Sequence, residues 1–335
     1  VIRIYGYDNL KELALSFSSN NKKAVLGYDE YRNRLIGQAL IKRGLYESVT
    51  FSFLSMKEHE LYSENATPVE LDNPISEDLS VMRQSLLPNL INNFIKNINK
   101  GLNNSGLYEV GSVYLGCEDR DQIPCSAGIR SGQVAARHWA SESREFDIYD
   151  VKKDAYLALE SIGVNLNSIS LNRDAPKWYH PGRSASIKLG KSLLGYFGEL
   201  HPKYTEIYGI RIIAFELFHN NIPKINKKKF NKEYLSHSLM PIKRDFAFLA
   251  EIDTPAEDII KSIKNSLSSL TKVSLLEINL FDVYMENLSS TKHKSLALEI
   301  IMQPLEETLK DNEILDISKL IIDNVRKETN AVLRD

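Results

Sequence analysis

The sequence predicts a protein of the α+β class, built from an antiparallel sheet core and a smaller terminal domain. Residues 240–335 change between the two-residue period of strands and the three-to-four-residue period of helices, in the order βαββαβ. Upstream of them, amphipathic helices alternate with short strands. With 335 residues and 43% hydrophobic content, the chain is long enough to bury two separate cores.

The βαββαβ region begins with a strand and an amphipathic helix. Residues 244–252 have apolar side chains at every second position, which predicts a strand. Pro255 suits the start of the helix, because its fixed φ is compatible with a first helical turn. The apolar residues of this helix recur at helical spacing: Ile259, Ile260, Ile263 and Leu267.

A hairpin, a second helix and a short final strand complete the region. Apolar residues run from 273 to 284 and alternate again from 295 to 302, with polar residues between the two strands. A helix is predicted from Asp311, with Thr308 or Asp311 as its N-cap, and residues 331–334 suit a short edge strand. This order predicts a four-stranded antiparallel sheet with both helices on one face, so the other face is open.

The open face of this sheet is the predicted binding surface. Asp282 and Tyr284 are two residues apart on one strand and share a face, whereas Phe281 and Val283 are expected to point toward the helices. Ser295, on the neighbouring strand, is expected to face outward as well. A carboxylate, a phenol ring and a hydroxyl suit an RNA base, through hydrogen bonds and stacking. The alternative is that these side chains only solvate an exposed sheet.

The parity of the third strand contains one conflict. Leu276, Ile278 and Leu280 have the same parity as Asp282, so apolar and polar residues would share one face. We therefore expect a bulge or a change of environment near Leu280.

The upstream part contains two helices with apolar stripes. The first is predicted at 31–44, ends at Gly44, and is followed by a strand at 48–54. The second is predicted at 86–98 and is followed by a strand at 107–114. A stripe that remains exposed on either helix after folding would form an apolar interface with a partner.

Several stretches of the chain resemble the phenylalanyl-tRNA synthetase family. In the terminal domain they resemble the ferredoxin-fold anticodon-binding domain that closes the bacterial beta subunit: Pro241 to Asp245, Leu280 to Tyr284, Lys294 to Leu298, Thr308 to Asp311, and Leu333 with Arg334. Upstream they resemble the class II synthetase-like core of that subunit: Ile4 to Tyr7, Asn73 to Arg83, Ser85 to Pro88, Tyr108 to Gly111, His180 to Ala185, and Gly195 to Pro202.

The resemblance implies a division of the chain and a set of RNA contacts. It implies the remnant of a preceding domain at 1–20, the core at 21–225, a linker at 226–239 and the anticodon-binding domain at 240–335. It places the first anticodon base among Asp282, Tyr284 and Ser295, with Arg334 nearby. The family also has upstream domains that bind tRNA and hydrolyse mischarged tRNA. Because these are not in the sequence, we expect the chain to be the C-terminal portion of the subunit.

The resemblance also implies that this chain holds no active site. Adenylate chemistry needs fixed cations at two places in such a core. At the corresponding positions the chain has Glu109 to Gly111 and Glu199 to Pro202, neither of which offers a cation. We therefore expect no catalytic residue here. We also expect no metal ligand, because the resemblance places the acidic residues that contact magnesium upstream of this sequence. The implied role is to hold the catalytic alpha subunit and bind tRNA(Phe), in an assembly of two alpha and two beta chains that uses ATP and Mg²⁺. The alternative is a stand-alone RNA-binding or regulatory module.

Composition adds limits to this interpretation. Lys and Arg number 42 against 44 Asp and Glu, so RNA contacts must come from local patches rather than an overall basic field. The sequence has no membrane-length apolar run, and we expect a cytoplasmic protein with Cys117 and Cys125 reduced. His180, His201 and the turn at 182–184 are more typical of structural turns than of catalytic groups. The lysines at 227–229 suit a solvated linker, with a contact to the tRNA backbone as the alternative.

Overall fold

The computed structural model describes residues 1–13, 26–63, 67–224, 237–285 and 293–334. The chain divides into two units, residues 1–231 and 232–335. Most of the linker expected at 226–239, including the lysines at 227–229, lies outside the described residues. Each unit is therefore presented by itself.

The first unit combines short and long helices with nine strands in the part of it that is described. Its helices are α1 Ile2–Tyr5, α2 Tyr28–Lys42, α3 Met56–Leu61, α4 Leu87–Ile98, α5 Ile148–Ser161 and α6 Pro202–Tyr208. Its strands are β1 Tyr46–Glu47, β2 Phe53–Leu54, β3 Val81–Met82, β4 Ser105–Tyr114, β5 Gln122–Ser131, β6 Ile169–Asn172, β7 Tyr179–Leu189, β8 Ser192–Leu200 and β9 Ile213–Phe218.

Seven of these strands form one sheet within the described residues, in the order β1-β4-β5-β9-β8-β7-β6. Neighbouring strands are antiparallel except for the edge strand β1, which pairs with β4 in parallel. The short strands β2 and β3 form a separate antiparallel pair. The antiparallel core predicted from the upstream sequence is therefore confirmed.

Each face of the large sheet is covered by its own hydrophobic cluster. Helices α2 and α5 cover one face, where Ile36, Leu40 and Leu159 are fully buried. Helices α4 and α6 cover the other, together with a group of aromatic side chains that contact one another: Tyr62, Trp178, Tyr179, Tyr196, Tyr204, Tyr208 and Phe218. Both faces are thus filled by side chains of this unit.

The strand predicted at 48–54 is wrong. Only Tyr46–Glu47 and Phe53–Leu54 are strands, and they belong to different sheets. Between them, the Thr50 hydroxyl donates to Glu109 and accepts from Arg83, while the Phe51 carbonyl accepts from Asn89. Side chains therefore bond the polar groups of Thr50 and Phe51, whereas the Ser48 amide and the Ser52 carbonyl bond to the backbone of Tyr108 and Arg83.

The apolar stripe of the second predicted helix does not remain exposed. In α4 the apolar residues are buried against the sheet: Leu87, Pro88, Leu90, Ile91 and Phe94. On α2, Ile41 is exposed but Ile36 and Leu40 are buried. The partner interface expected along these two stripes is thus not supported for α4.

The second unit has the predicted βαββαβ order. Its elements are β10 Ile242–Glu251, α7 Ala256–Ser268, β11 Val273–Tyr284, β12 His293–Pro304, α8 Asp311–Thr329 and β13 Val332–Leu333. The described residues form a four-stranded antiparallel sheet in the order β11-β12-β10-β13. Both helices pack on one face, around Phe248, Leu298 and Ile321. The prediction of this topology from residue periodicity is confirmed.

Two local details of the second unit test the sequence patterns. The register of β11 shifts between Leu280 and Asp282, so the expected bulge near Leu280 is confirmed. The N-cap of α8 is Lys310, with the Glu313 side chain accepting from the Lys310 amide, so the prediction of Thr308 or Asp311 is wrong. This is only half of a capping box, because the lysine ammonium has no acceptor for a backbone amide, and so the sequence carries no N-cap signature at Lys310.

Candidate nucleic-acid interface

The register of the second unit defines which side chains share the open face. Residues directly opposite each other in an antiparallel pair point to the same side. Phe248, Leu296 and Leu298 are buried under the helices, so their neighbours along the strands face the other way. Two rows of residues cross this face from β11 to β13: Asp282, Ala297, Ala247 and Arg334 in one, and Tyr284, Ser295, Leu249 and Val332 in the other.

Asp282 and Tyr284 lie at the open face and are exposed. The bulge after Leu280 is what places them there, because Leu280 still faces the helices opposite Leu298. Tyr284 is 52% exposed. An aromatic ring with this exposure on a sheet surface can stack on a base.

Arg334 completes the other end of this surface. The Arg334 amide donates to the Ala247 carbonyl at 2.7 Å, which extends the edge strand β13 by one residue. Its guanidinium carbon lies 5.6 Å from the centre of the Tyr284 ring, within cation–π distance. Arg334 and Tyr284 therefore meet across the two central strands, although they belong to opposite edges of the sheet.

Ser295 lies on the open face, but it is not exposed as expected. Its side of the sheet follows from its pairing with Tyr284 and Leu249, yet only 5% of the residue is accessible. We attribute this burial to Tyr284 and Arg334, whose side chains meet above the central strands. The expectation that Ser295 faces outward beside Tyr284 agrees with the register, but the residue is buried in the free chain.

Phe281 and Val283 do not join the core as expected. Val283 pairs with Leu296 and so has the parity of the helix side, but both Phe281 and Val283 are exposed. Phe281 lies inside the bulge, where no residue of β12 is opposite to it. The cluster that packs under the helices ends at Leu280 on this strand.

The first unit contains a buried ion pair that the sequence analysis missed. Arg83 and Glu109 are both about 3% exposed, and their side chains meet at 2.7 Å. Arg83 also donates to the Ser112 carbonyl, and Thr50 donates to Glu109. A buried carboxylate and guanidinium in this arrangement satisfy each other. Neither is presented to a ligand.

Glu199 is surrounded by cations in a similar way. Arg211 donates to it at 2.8 Å and Arg183 at 3.1 Å. Although burial opposes this, the hydrogen bonds from both arginines leave the pKa of Glu199 below its ordinary value. Near Glu109 to Gly111 and Glu199 to Pro202, where the sequence offered no cation, the fold thus brings arginines from elsewhere in the chain. These arginines are paired with Glu109 and Glu199.

The histidines and cysteines considered as candidate sites have local structural roles or none. The Nδ1 atom of His180 accepts from the Gly182 amide at 3.0 Å, and that of His201 accepts from the Lys203 amide at the start of α6. Cys117 is exposed and Cys125 is buried, and both are free thiols. Among the described residues, no group of three or more His, Cys, Asp or Glu side chains is placed to hold a metal ion. None of the helices in the described part of the chain is long and apolar enough to cross a membrane.

Comparison with protein families decides the classification. Residues 18–218 match the model of the phenylalanyl tRNA synthetase beta chain CLM domain, which is more than half of the chain. The chain belongs to the phenylalanyl-tRNA synthetase beta chain family. Residues 238–334 match the model of the ferredoxin-fold anticodon binding domain, in agreement with the βαββαβ topology of the second unit. The family expected from the sequence motifs is therefore confirmed.

Curated relatives in this family match the whole chain. It is 36% identical over 338 residues to the phenylalanine–tRNA ligase beta subunit of Paramagnetospirillum magneticum and 36% identical over 343 residues to that of Bartonella henselae. Each alignment covers 100% of this chain and 42% of the relative. The chain thus spans less than half the length of the beta subunits that it matches.

Solved structures give a more distant similarity. Two structures of pyrrolysyl-tRNA synthetase from Desulfitobacterium hafniense each cover 57% of this chain, and 64% and 67% of their own chains. Their TM-scores are 0.44 and 0.45, with 14% and 13% sequence identity.

Proposed function

We propose that the chain is the C-terminal portion of the beta subunit of phenylalanine–tRNA ligase, and that it binds the anticodon of tRNA(Phe) on the open face of its second unit. The observation that carries the proposal is the exposed Tyr284 ring on that face, with Asp282 beside it and Arg334 within cation–π distance. The matching family models and the names of the relatives support it.

The open face has the chemistry of a base-binding surface. Tyr284 stacks on the first anticodon base, and the Asp282 carboxylate accepts from its donors. Arg334 moves from the ring toward the nucleotide, because a cation–π contact at an exposed site is worth only about 0.5–1 kcal/mol. This movement opens the way to the Ser295 hydroxyl beneath it, so all four predicted residues take part.

The first unit is the docking surface for the catalytic alpha subunit. Shortly after the edge strand β1, the residues Val49 and Phe51 are 88% and 72% exposed. They border a groove of about 980 Å³ that also contacts Ile95 and Tyr208. Exposed apolar side chains around a groove are typical of partner surfaces. The alpha subunit therefore binds at this groove rather than along the buried stripe of α4.

The chain contributes no reacting group to the ligation. Near the two expected catalytic positions, Arg83 is buried and paired with Glu109, and Arg183 and Arg211 are both paired with Glu199. ATP and Mg²⁺ are used by the alpha subunit of the assembled enzyme. The assembly contains two alpha and two beta chains and works in the cytoplasm.

Co-purification of the chain with a separate alpha subunit, followed by a charging assay, tests this proposal. We expect a stable complex and attachment of phenylalanine to tRNA(Phe) that depends on ATP and on both chains. A chain that binds tRNA(Phe) but forms no complex with the alpha subunit would instead be a stand-alone RNA-binding module. A chain that does neither would contradict the whole proposal.

A further inference from the structure

The open face of the second unit continues beyond Ser295 to a second aromatic side chain. His293 lies two residues before Ser295 on β12, so both point to the same face. Two residues of a strand span about 6.6–6.8 Å, which places His293 one step along the sheet from Tyr284 and Ser295. In the register of β10 and β12, His293 is opposite Glu251. Both residues are exposed.

The part of the open face next to His293 and Glu251 is apolar. Leu249 and Val332 are opposite each other on β10 and β13 and belong to the same row as Ser295 and Tyr284. Both are partly exposed, which leaves apolar surface next to Glu251 on the face that carries the tyrosine. Apolar surface of this kind suits the flat side of a base better than a phosphate.

The side chains of His293 and Glu251, next to this apolar surface, are chemically complementary to a base. An imidazole ring can stack on a base, and a carboxylate can accept from an exocyclic amino group. The Glu251 carboxylate would repel a phosphate at the same place. Four-stranded sheets that bind single-stranded RNA commonly stack two or three consecutive bases on one face.

We propose that His293 and Glu251 form a second nucleotide subsite, which takes the base adjacent to the one stacked on Tyr284. This inference rests on the proposed tRNA function and deepens it. His293 supplies the stacking ring, and Glu251 favours a base that carries an amino group. The free chain therefore presents two ring-bearing positions, one step apart, rather than a single base site.

Binding measurements that combine protein variants with abasic RNA test the subsite. The reconstituted complex of the alpha subunit and this chain is titrated with the tRNA(Phe) anticodon stem-loop and with versions that each lack one anticodon base. We expect His293→Ala to weaken binding of the intact stem-loop about 5- to 150-fold, the usual range for a lost base stack. His293→Phe should restore most of the affinity, because it keeps a ring.

The abasic stem-loops distinguish a base contact from other effects. Removing the base next to the Tyr284-bound one should cancel the penalty of His293→Ala, because the two changes delete one interaction. Equal affinity of His293→Ala and wild type for the intact stem-loop overturns the subsite. A penalty that persists with every abasic stem-loop overturns it too, since the contact is then not to a base.

Two further variants separate this inference from the proposed function. Tyr284→Ala should weaken binding whether or not His293 does, so a loss with Tyr284→Ala alone overturns only the second subsite. No loss with either variant contradicts the proposed tRNA function. His237→Ala changes an exposed histidine of the same unit outside the strands and should leave affinity unchanged.

Discussion

The guanidinium carbon of Arg334 lies 5.6 Å from the centre of the Tyr284 ring, although the two residues come from opposite edges of the four-stranded sheet. Their side chains meet above the central strands, where Ser295 is buried. The free chain therefore holds its predicted base-binding ring against a cation. In the proposed complex Arg334 leaves the ring and contacts the nucleotide that stacks on Tyr284.

Arg334→Ala should reduce the salt dependence of tRNA(Phe) binding. Each cation that neutralises a phosphate contributes about one unit to the slope of log affinity against log salt concentration, so we expect the slope to fall by about 1. Binding isotherms at several salt concentrations measure it. Leu333→Ala, which changes the neighbouring residue of β13 without changing charge, should keep the wild-type slope. An unchanged slope for Arg334→Ala would exclude a phosphate contact by this residue.

Glu109→Ala should destabilise the first unit without affecting chemistry. The substitution leaves Arg83 buried and unpaired, which costs about 3–5 kcal/mol. Urea unfolding followed by tryptophan fluorescence measures the loss, because both tryptophans, Trp139 and Trp178, belong to the first unit.

The exposed pair of Glu118 and Arg120 provides the control for this experiment. Glu118→Ala removes a surface contact and should change stability by less than about 1 kcal/mol. In the assembled enzyme, the single-turnover rate of Glu109→Ala should equal that of wild type wherever the complex remains intact. A collapse of that rate with assembly preserved would show that the core takes part in the reaction.

Phe51→Asp should weaken assembly with the alpha subunit while leaving the chain folded. Phe51 is 72% exposed beside the groove, so its replacement removes apolar interface and buries a charge upon docking. Pull-down and size-exclusion chromatography with the alpha subunit measure the effect. Ile75→Asp changes an even more exposed apolar residue that does not contact the groove and should assemble normally. Normal assembly of Phe51→Asp would exclude this surface.

The pH dependence of stability should report a buried carboxyl group. Burial raises the pKa of Glu216 to about 7, while hydrogen bonds from the Ser85 hydroxyl and the Leu86 amide act in the opposite direction. In the unfolded chain the pKa returns to about 4.5. The stability from the neutral form is therefore complete below about pH 4.5 and is lost as the pH rises through about 7.

Glu216→Gln should remove this loss, because glutamine accepts both hydrogen bonds and does not ionise. Its free energy of unfolding, relative to wild type, should increase by about 3 kcal/mol between about pH 4 and about pH 8. His219 has the opposite effect on the pH dependence of stability. Burial, with the charge of Arg32, lowers the pKa of His219 to about 3, so its contribution to the free energy of unfolding grows as the pH rises toward 6.5. Parallel pH profiles for wild type and Glu216→Gln would contradict a buried, neutral Glu216.

Periodicity was sufficient to predict the second unit, because each of its elements packs one face and exposes the other. The bulge near Leu280 followed from the same rule, since apolar and polar residues of one parity had to separate. The burial of Ser295 could not be predicted in this way. We attribute it to Tyr284 and Arg334, which come from two edge strands distant in sequence and whose side chains lie within cation–π distance of each other.

The first unit was less predictable for a related reason. The segment at 48–54 has the alternation of a strand, but at its centre the Thr50 hydroxyl bonds to the buried pair of Arg83 and Glu109. An arginine with almost no exposure has no distinct sequence pattern, because most arginines are solvated. The apolar stripe of α4 was predicted correctly as a stripe, whereas its burial depended on the sheet and aromatic residues that cover it.

Equilibrium binding of tRNA(Phe) to Tyr284→Ala and Tyr284→Phe, at one fixed salt concentration, tests the central claim most directly. Loss of the ring should weaken binding by about 1–3 kcal/mol, while Tyr284→Phe, which keeps the ring, should bind nearly as well as wild type. Wild-type affinity of Tyr284→Ala would contradict the assignment of the open face as the anticodon-binding surface.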